Sequence, residues 1–138
     1  PNQITVTTPD GSRKVVGFQS AIIAAGSQPT KIPGAPDDER IMDSTGALEL
    51  KDIPKKLLII GGGIIGLEMG TVYDAMGSAV SVVELTDGLI QGCDRDIVRP
   101  LHKRMAKRFE NIWLGTKVTK MDAKKEGILV YFEGVDAP

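Results

Sequence analysis

A single cysteine, Cys93, stands among 138 residues. With no second thiol an intrachain disulfide is excluded, and so is a disulfide-stapled scaffold. A cytoplasmic-type, reducing compartment is the expectation. Aromatic residues are scarce, at 4%. No apolar run approaches the roughly 20 residues that a helix needs to cross a bilayer. Charge of one sign is not in excess: 17 Lys and Arg stand against 18 Asp and Glu, a net charge of −1. That balance argues against a nucleic-acid or membrane-surface partner, which would select a basic surplus. The N-terminal Pro-Asn-Gln-Ile-Thr-Val has neither an initiator Met nor a signal-peptide pattern, so the chain reads as a piece of a longer one.

Glycine, by contrast, is abundant, with 16 residues. In an otherwise ordinary composition this points to tight turns and close backbone approach. Residues Gln3–Phe18 alternate polar and apolar about a Pro9-Asp10-Gly11 turn signal, the pattern of a hairpin. Ser20–Ala25 is a short apolar run ended by Gly26 and is expected to be a buried strand. Pro29, Pro33, Gly34 and Pro36 then make an irregular linker, placed at residues 30–43. Asp43–Leu50 is expected to hold a short helix capped by Asp43 or Ser44.

The next segment carries the strongest pattern. Lys56–Ile60 reads as a strand and Gly61–Gly66 as a glycine loop. Ile64–Met76 reads as a helix whose apolar face holds Ile65, Met69, Val72 and Met76, closed by Gly77. Ala79–Leu85 is a second buried strand. Asp94–Phe109 is a second helix, capped by Asp94, with Val98, Leu101, Met105 and Phe109 on one face and Pro100 inside. Ile112–Leu114, Lys117–Asp122 and Ile128–Glu133 read as strands, the last two forming a hairpin. The weak likeness of this hairpin to Gln3–Phe18, which leads into an apolar run, implies that the sheet is one C-terminal strand short.

Gly61-Gly62-Gly63-Ile64-Ile65-Gly66 fits G-x-G-x-x-G between a strand and a helix, with a second strand closing on Glu84, 18 residues beyond Gly66. Each part has a physical task. Gly61 permits the tight turn, Gly63 lets a pyrophosphate approach the backbone, and Gly66, with Gly70 one turn on, allows close packing of helix on strand. The helix N-terminus offers free N–H groups to phosphate. Glu84 accepts hydrogen bonds from a ribose diol and repels a 2′-phosphate, so NAD is expected over NADP. Leu85-Thr86-Asp87-Gly88 supplies no cation to receive that phosphate. Two other readings remain at this point: a glycine turn that serves packing alone, and an S-adenosylmethionine site.

The stretches "AIIAAGSQP", "DSTGALEL", "LLIIGGGIIGLEMGTVYDAMGS" and "VVEL" together resemble the central portion of a pyridine nucleotide–disulfide oxidoreductase, and within that family the dihydrolipoamide dehydrogenases. The resemblance implies an α/β, Rossmann-like three-layer nucleotide-binding domain with a parallel sheet and an appended antiparallel hairpin. It implies the tail of an FAD domain at residues 1–29 and an NAD domain at 44–138. It further implies that Gly61, Gly62, Gly63, Ile64, Ile65 and Gly66 line NAD and that Glu84 holds the adenosine ribose. Val118 would flank the adenine, Glu68 would lie near the nicotinamide, and Gly26 would touch FAD in the parent. Read without the resemblance, Glu68 is an exposed helix acid.

The family's redox cysteine pair, its first glycine fingerprint and its C-terminal His–Glu pair have no counterpart here, and neither Cys93 nor His102 matches them. No catalytic residue and no metal site is therefore assigned, and the piece alone is expected to be inactive. Cys93 reads as a loop thiol, and His102 with Arg99, Lys103, Arg104, Lys107 and Arg108 as a solvated helix face. By the same resemblance the parent is a homodimer within a 2-oxo acid dehydrogenase complex. An NAD-linked relative with another electron donor, such as mercuric or coenzyme A-disulfide reductase, and a stand-alone nucleotide-binding module are the alternatives.

Overall fold

The computed structural model describes residues 2–135 and 137–138. Strands β1 (Asn2–Thr7) and β2 (Arg13–Phe18) form the expected antiparallel hairpin, with Ile4 opposite Val16. Gly11 takes φ +83° in its turn, a conformation that glycine adopts freely. Helix α1 (Ser44–Leu48) follows the linker. Of the two cap candidates Asp43 acts, accepting from the Thr45 and Gly46 N–H groups at 2.9 Å each.

Strand β3 (Lys56–Ile60), helix α2 (Ile64–Ala75) and strand β4 (Ala79–Val83) make a βαβ unit. Helix α3 (Arg95–Met105) then leads to β5 (Asn111–Trp113). The three strands lie in the order β3-β4-β5, all parallel, with Lys56 opposite Ala79 and Ser81 opposite Asn111. Successive right-handed crossovers moving in one direction across a sheet put both helices on the same face. The core agrees, since Val80 and Val82 of β4 pack with Leu67 and Tyr73 of α2 and with Val98, Met105 and Phe109 of the α3 segment. Val83 is buried outside that cluster, towards the other face. There the hairpin of β6 (Thr116–Lys124) and β7 (Gly127–Gly134) lies, with Trp113 stacked obliquely on Phe132, ring centroids 5.6 Å apart. The architecture is thus the α/β one expected, a parallel sheet with antiparallel hairpins.

Three expectations need correction. Ser20–Ala25 is not a buried strand: it pairs with no described strand, and Ile22 and Ile23 are 95% and 93% exposed. A parallel strand buried on both faces requires neighbours on its edges, and none of the described strands lies beside this one. The buried face of α2 is also different. Leu67, Gly70 and Tyr73 face the core, whereas Ile65 is 60% exposed and Val72 and Met76 are exposed as well. Small residues decide the contact here. A Cβ at Gly66 would lie 2.3 Å from the Gly61 carbonyl, and one at Gly70 would lie 2.9 Å from both Ile59 Cδ1 and Phe109 Cζ. The helix approaches through its glycines and Leu67, leaving Ile65, Val72 and Met76 outside. Finally, Asp94 occupies the cap position of α3, but its carboxylate makes no capping hydrogen bond.

Candidate functional site

The glycine loop begins where β3 ends, beside the end of β4. Gly61 takes φ +109° and donates its N–H to the Val83 carbonyl at 2.8 Å, so the tight turn is a glycine conformation. Gly63 is the N-cap of α2 and has no side chain with which to cap it. Among the described residues, the first helix donors, the N–H groups of Ile64, Ile65 and Gly66, therefore have no side-chain partner at the positive end of the helix dipole. A Cβ at Gly63 would meet nothing within 4 Å. The loop thus presents an open backbone surface at that glycine, and Ile64 and Ile65 are exposed at its rim.

Gly62 is the opposite case. A Cβ there would lie 2.5 Å from Leu89 Cδ2 and 3.2 Å from Glu84 Cβ. Both of its backbone groups are tied to the chain after β4. Its N–H donates to Glu84 Oε2 at 2.7 Å, and its carbonyl accepts from Ile90 N–H at 2.9 Å. Glu84 Oε1 accepts from the Thr86 N–H at 2.8 Å and the Thr86 hydroxyl at 2.6 Å. Partial burial pushes the Glu84 carboxyl up. Hydrogen bonds from the Thr86 hydroxyl and the backbone N–H groups of Thr86, Gly62 and Leu85 outweigh it, so the net shift is downward and the group is ionised at neutral pH. The expected ribose acid is therefore beside the glycine loop, charged and held on both oxygens.

Residues Leu85–Gly92 supply partners that spacing did not reveal. Gln91 Nε2 donates to Thr86 Oγ1 at 2.7 Å and to the Gly88 carbonyl at 3.1 Å. Arg95 reaches back from α3 to the Leu89, Ile90 and Cys93 carbonyls at 2.9, 2.6 and 2.9 Å. A cation is thus present near Gly88 after all, engaged with backbone oxygens. The signal in the sequence was faint: a Thr two residues past the acid, and an Arg at the first position of the next helix.

The remaining site residues fall apart from this cluster. Glu68 is exposed on α2, as an ordinary helix acid would be. Val118 is half-buried on β6, in a crevice shared with Ile32, Pro33 and Gly34. Its strand is anchored to the site at Thr116, whose N–H donates to the Glu84 carbonyl at 2.9 Å. Gly26 is exposed, with φ +77°. Cys93 is an exposed thiol. Arg99, Lys103, Arg104, Lys107 and Arg108 are exposed as expected, with Arg108 paired to Asp74 at 2.6 Å. His102 is half-buried instead, lining a crevice with Asp87, Arg95 and Arg99. Among the described residues no helix is long and apolar enough to cross a membrane, and no cluster of His, Cys, Asp and Glu is arranged to hold a metal.

The family model for pyridine nucleotide-disulphide oxidoreductases matches residues 2–136. Dihydrolipoyl dehydrogenase of Vibrio parahaemolyticus is 55% identical over 139 aligned positions, covering 100% of this chain and 29% of the relative. The enzyme of the same name from Haemophilus influenzae is 56% identical over 126 positions, covering 91% of this chain and 26% of its own length. Among solved structures, LpdA from Mycobacterium tuberculosis superposes with a TM-score of 0.77 at 26% identity, over 94% of this chain and 28% of that one. The chain therefore spans less than a third of the length of these relatives.

Proposed function

Because the chain belongs to the pyridine nucleotide-disulphide oxidoreductase family, we propose that its βαβ unit is the NAD site of a flavin-dependent dihydrolipoyl dehydrogenase. In this reading residues 44–138 are the NAD domain, 1–29 the tail of the FAD domain and 30–43 the linker. The observation that carries it is the pairing of an open, glycine-capped helix start with an ionised Glu84 fastened to the same loop. The residues fit a dinucleotide. Gly63 leaves room for the pyrophosphate, the Ile64, Ile65 and Gly66 N–H groups are donors to it, and Glu84 is the acceptor for the adenosine ribose.

When bound, NAD supplies the acceptor for a hydride that the intact enzyme draws from dihydrolipoamide through a disulfide and FAD. This chain's own contribution is to bind and orient the dinucleotide. The homodimer and the 2-oxo acid dehydrogenase complex belong to the same proposal, as do Val118 beside the adenine, Glu68 near the nicotinamide and Gly26 at the flavin.

Equilibrium titration of the full-length protein with NADH and NADPH tests the reading. NADH should bind about tenfold or more tightly than NADPH, and Glu84→Gln should remove most of that preference. Equal affinities, or a preference that survives Glu84→Gln, would overturn it. Gly63→Ala adds a second check. Its φ of −78° suits alanine and its methyl group meets no protein atom, so folding stability should hold within about 1 kcal/mol while NADH affinity drops. Since the Glu84 pKa is held low, affinity should be flat near neutral pH and fall as pH drops through that lowered carboxylate pKa.

A further inference from the structure

The Glu84 carboxylate does not stand alone at the end of β4; a chain of donors leads up to it. The Gln91 amide nitrogen is within 2.7 Å of Thr86 Oγ1 and 3.1 Å of the Gly88 carbonyl. An amide nitrogen can only donate, and the Gly88 oxygen can only accept. This orientation of the Gln91 amide is the one that satisfies both contacts, because the flipped amide would set its oxygen against the Gly88 oxygen. Thr86 Oγ1 consequently accepts from Gln91, and its single proton has two acceptors in reach, Glu84 Oε1 at 2.6 Å and the Gly88 carbonyl at 3.0 Å; the shorter bond, to the charged carboxylate, takes it. The Thr86 N–H converges on the same oxygen at 2.8 Å, while Gly62 holds the other at 2.7 Å.

We propose that Thr86 and Gln91 are positioning residues that fix the Glu84 carboxylate against the adenosine ribose and thereby set the preference for NAD over NADP. The inference rests on the nucleotide reading above. Its physical content is preorganisation. A carboxylate held at both oxygens meets the ribose hydroxyl without first losing rotamer freedom, and it cannot swing aside to admit a 2′-phosphate. The loop that carries the relay is itself fixed. Ile90 is bonded through its N–H to the Gly62 carbonyl at 2.9 Å, and Arg95 gathers the Leu89, Ile90 and Cys93 carbonyls. The direction of the relay is what makes the threonine specific: a side chain of the same shape without the hydroxyl leaves both the Gln91 donor and Glu84 Oε1 short of a partner.

The test compares Thr86→Val, Thr86→Ser, Gln91→Leu and Glu84→Gln in the full-length, flavin-loaded protein. Kd is measured for NADH and NADPH, with steady-state kinetics for NAD. Thr86→Val should weaken NADH binding about tenfold with little effect on NADPH, the size expected for losing one hydrogen bond to a charged group. The loss should fall on KM for NAD and not on kcat. Thr86→Ser keeps the hydroxyl and should restore affinity to within about twofold. Gln91→Leu should act in the same direction by about threefold, because it removes the bond that directs the threonine proton, together with the amide's second bond to the Gly88 carbonyl, and leaves the Thr86 hydroxyl itself in place. An unchanged NADH-to-NADPH ratio in Thr86→Val, or failure of Thr86→Ser to rescue, would overturn the relay. If Glu84→Gln abolishes the preference while Thr86→Val keeps it, the relay falls and the nucleotide site stands. If Glu84→Gln also keeps it, both fall.

Discussion

Two short apolar runs of this chain, AIIAA at residues 21–25 and KLLII at residues 56–60, have similar character and opposite fates. The second is β3, hydrogen-bonded along its length to β4, with Leu57 and Ile59 packed against the helix-side core. The first has Ile22 and Ile23 almost wholly exposed and pairs with no described strand. Hydropathy alone does not bury a strand. Burial follows from a helix to cover it and an edge to receive it, which the βαβ unit provides within about 30 residues of sequence. The same contrast separates the β1–β2 hairpin, where Ile4, Val6, Val15 and Val16 are all exposed, from the fully buried Val80 and Val82 of β4.

Substitution in the densely packed βαβ unit should be the most damaging. Gly66→Val places a branched side chain where a Cβ already lies 2.3 Å from the Gly61 carbonyl and 3.1 Å from Ile59 Cγ2. Overpacking against backbone should cost about 3 kcal/mol, seen as a lower denaturant midpoint at unchanged slope. Tyr73→Phe is next. The buried phenol donates to the Ala47 carbonyl at 2.9 Å, tying α1 to α2, and its loss should cost about 1 kcal/mol by thermal unfolding. On the exposed side, Ile23→Ala in this chain should change stability by less than about 0.5 kcal/mol. A loss of about 2 kcal/mol or more there would contradict the exposure of Ile23, because only a buried side chain costs that much on truncation.

How much of this was legible in the sequence follows from the same physics. The strand, glycine loop, helix and second strand could be read because periodicity and turn chemistry agree there, and Lys56–Ile60 ends where expected. The buried face of α2 could not. The helix is apolar on more than one side, and the spacing of Ile65, Met69, Val72 and Met76 outweighed the contact actually made through Gly66, Leu67, Gly70 and Tyr73. In the site, Gly61, Gly63, Gly66 and Glu84 were legible from the motif. The role of Gly62 under Leu89 was not, nor were Thr86, Gln91 and Arg95, because their ties, to the Glu84 carboxylate, the Thr86 hydroxyl and backbone carbonyls, are made within a loop that has no periodicity. The exposure of Ser20–Ala25 was illegible for the reason the comparison gives: a run of apolar residues does not state whether a neighbour lies beside it.

In the proposed function the dinucleotide is received by the glycine loop together with the chain from Glu84 to Gln91, and by no part of the Asn2–Phe18 hairpin. Amide hydrogen exchange of the full-length protein with and without NAD tests it residue by residue. Binding should slow exchange at Ile64, Ile65 and Gly66 and across Thr86–Gln91, and leave Asn2–Phe18 unchanged. Protection that bypasses the glycine loop, or that appears equally in the hairpin, would contradict it.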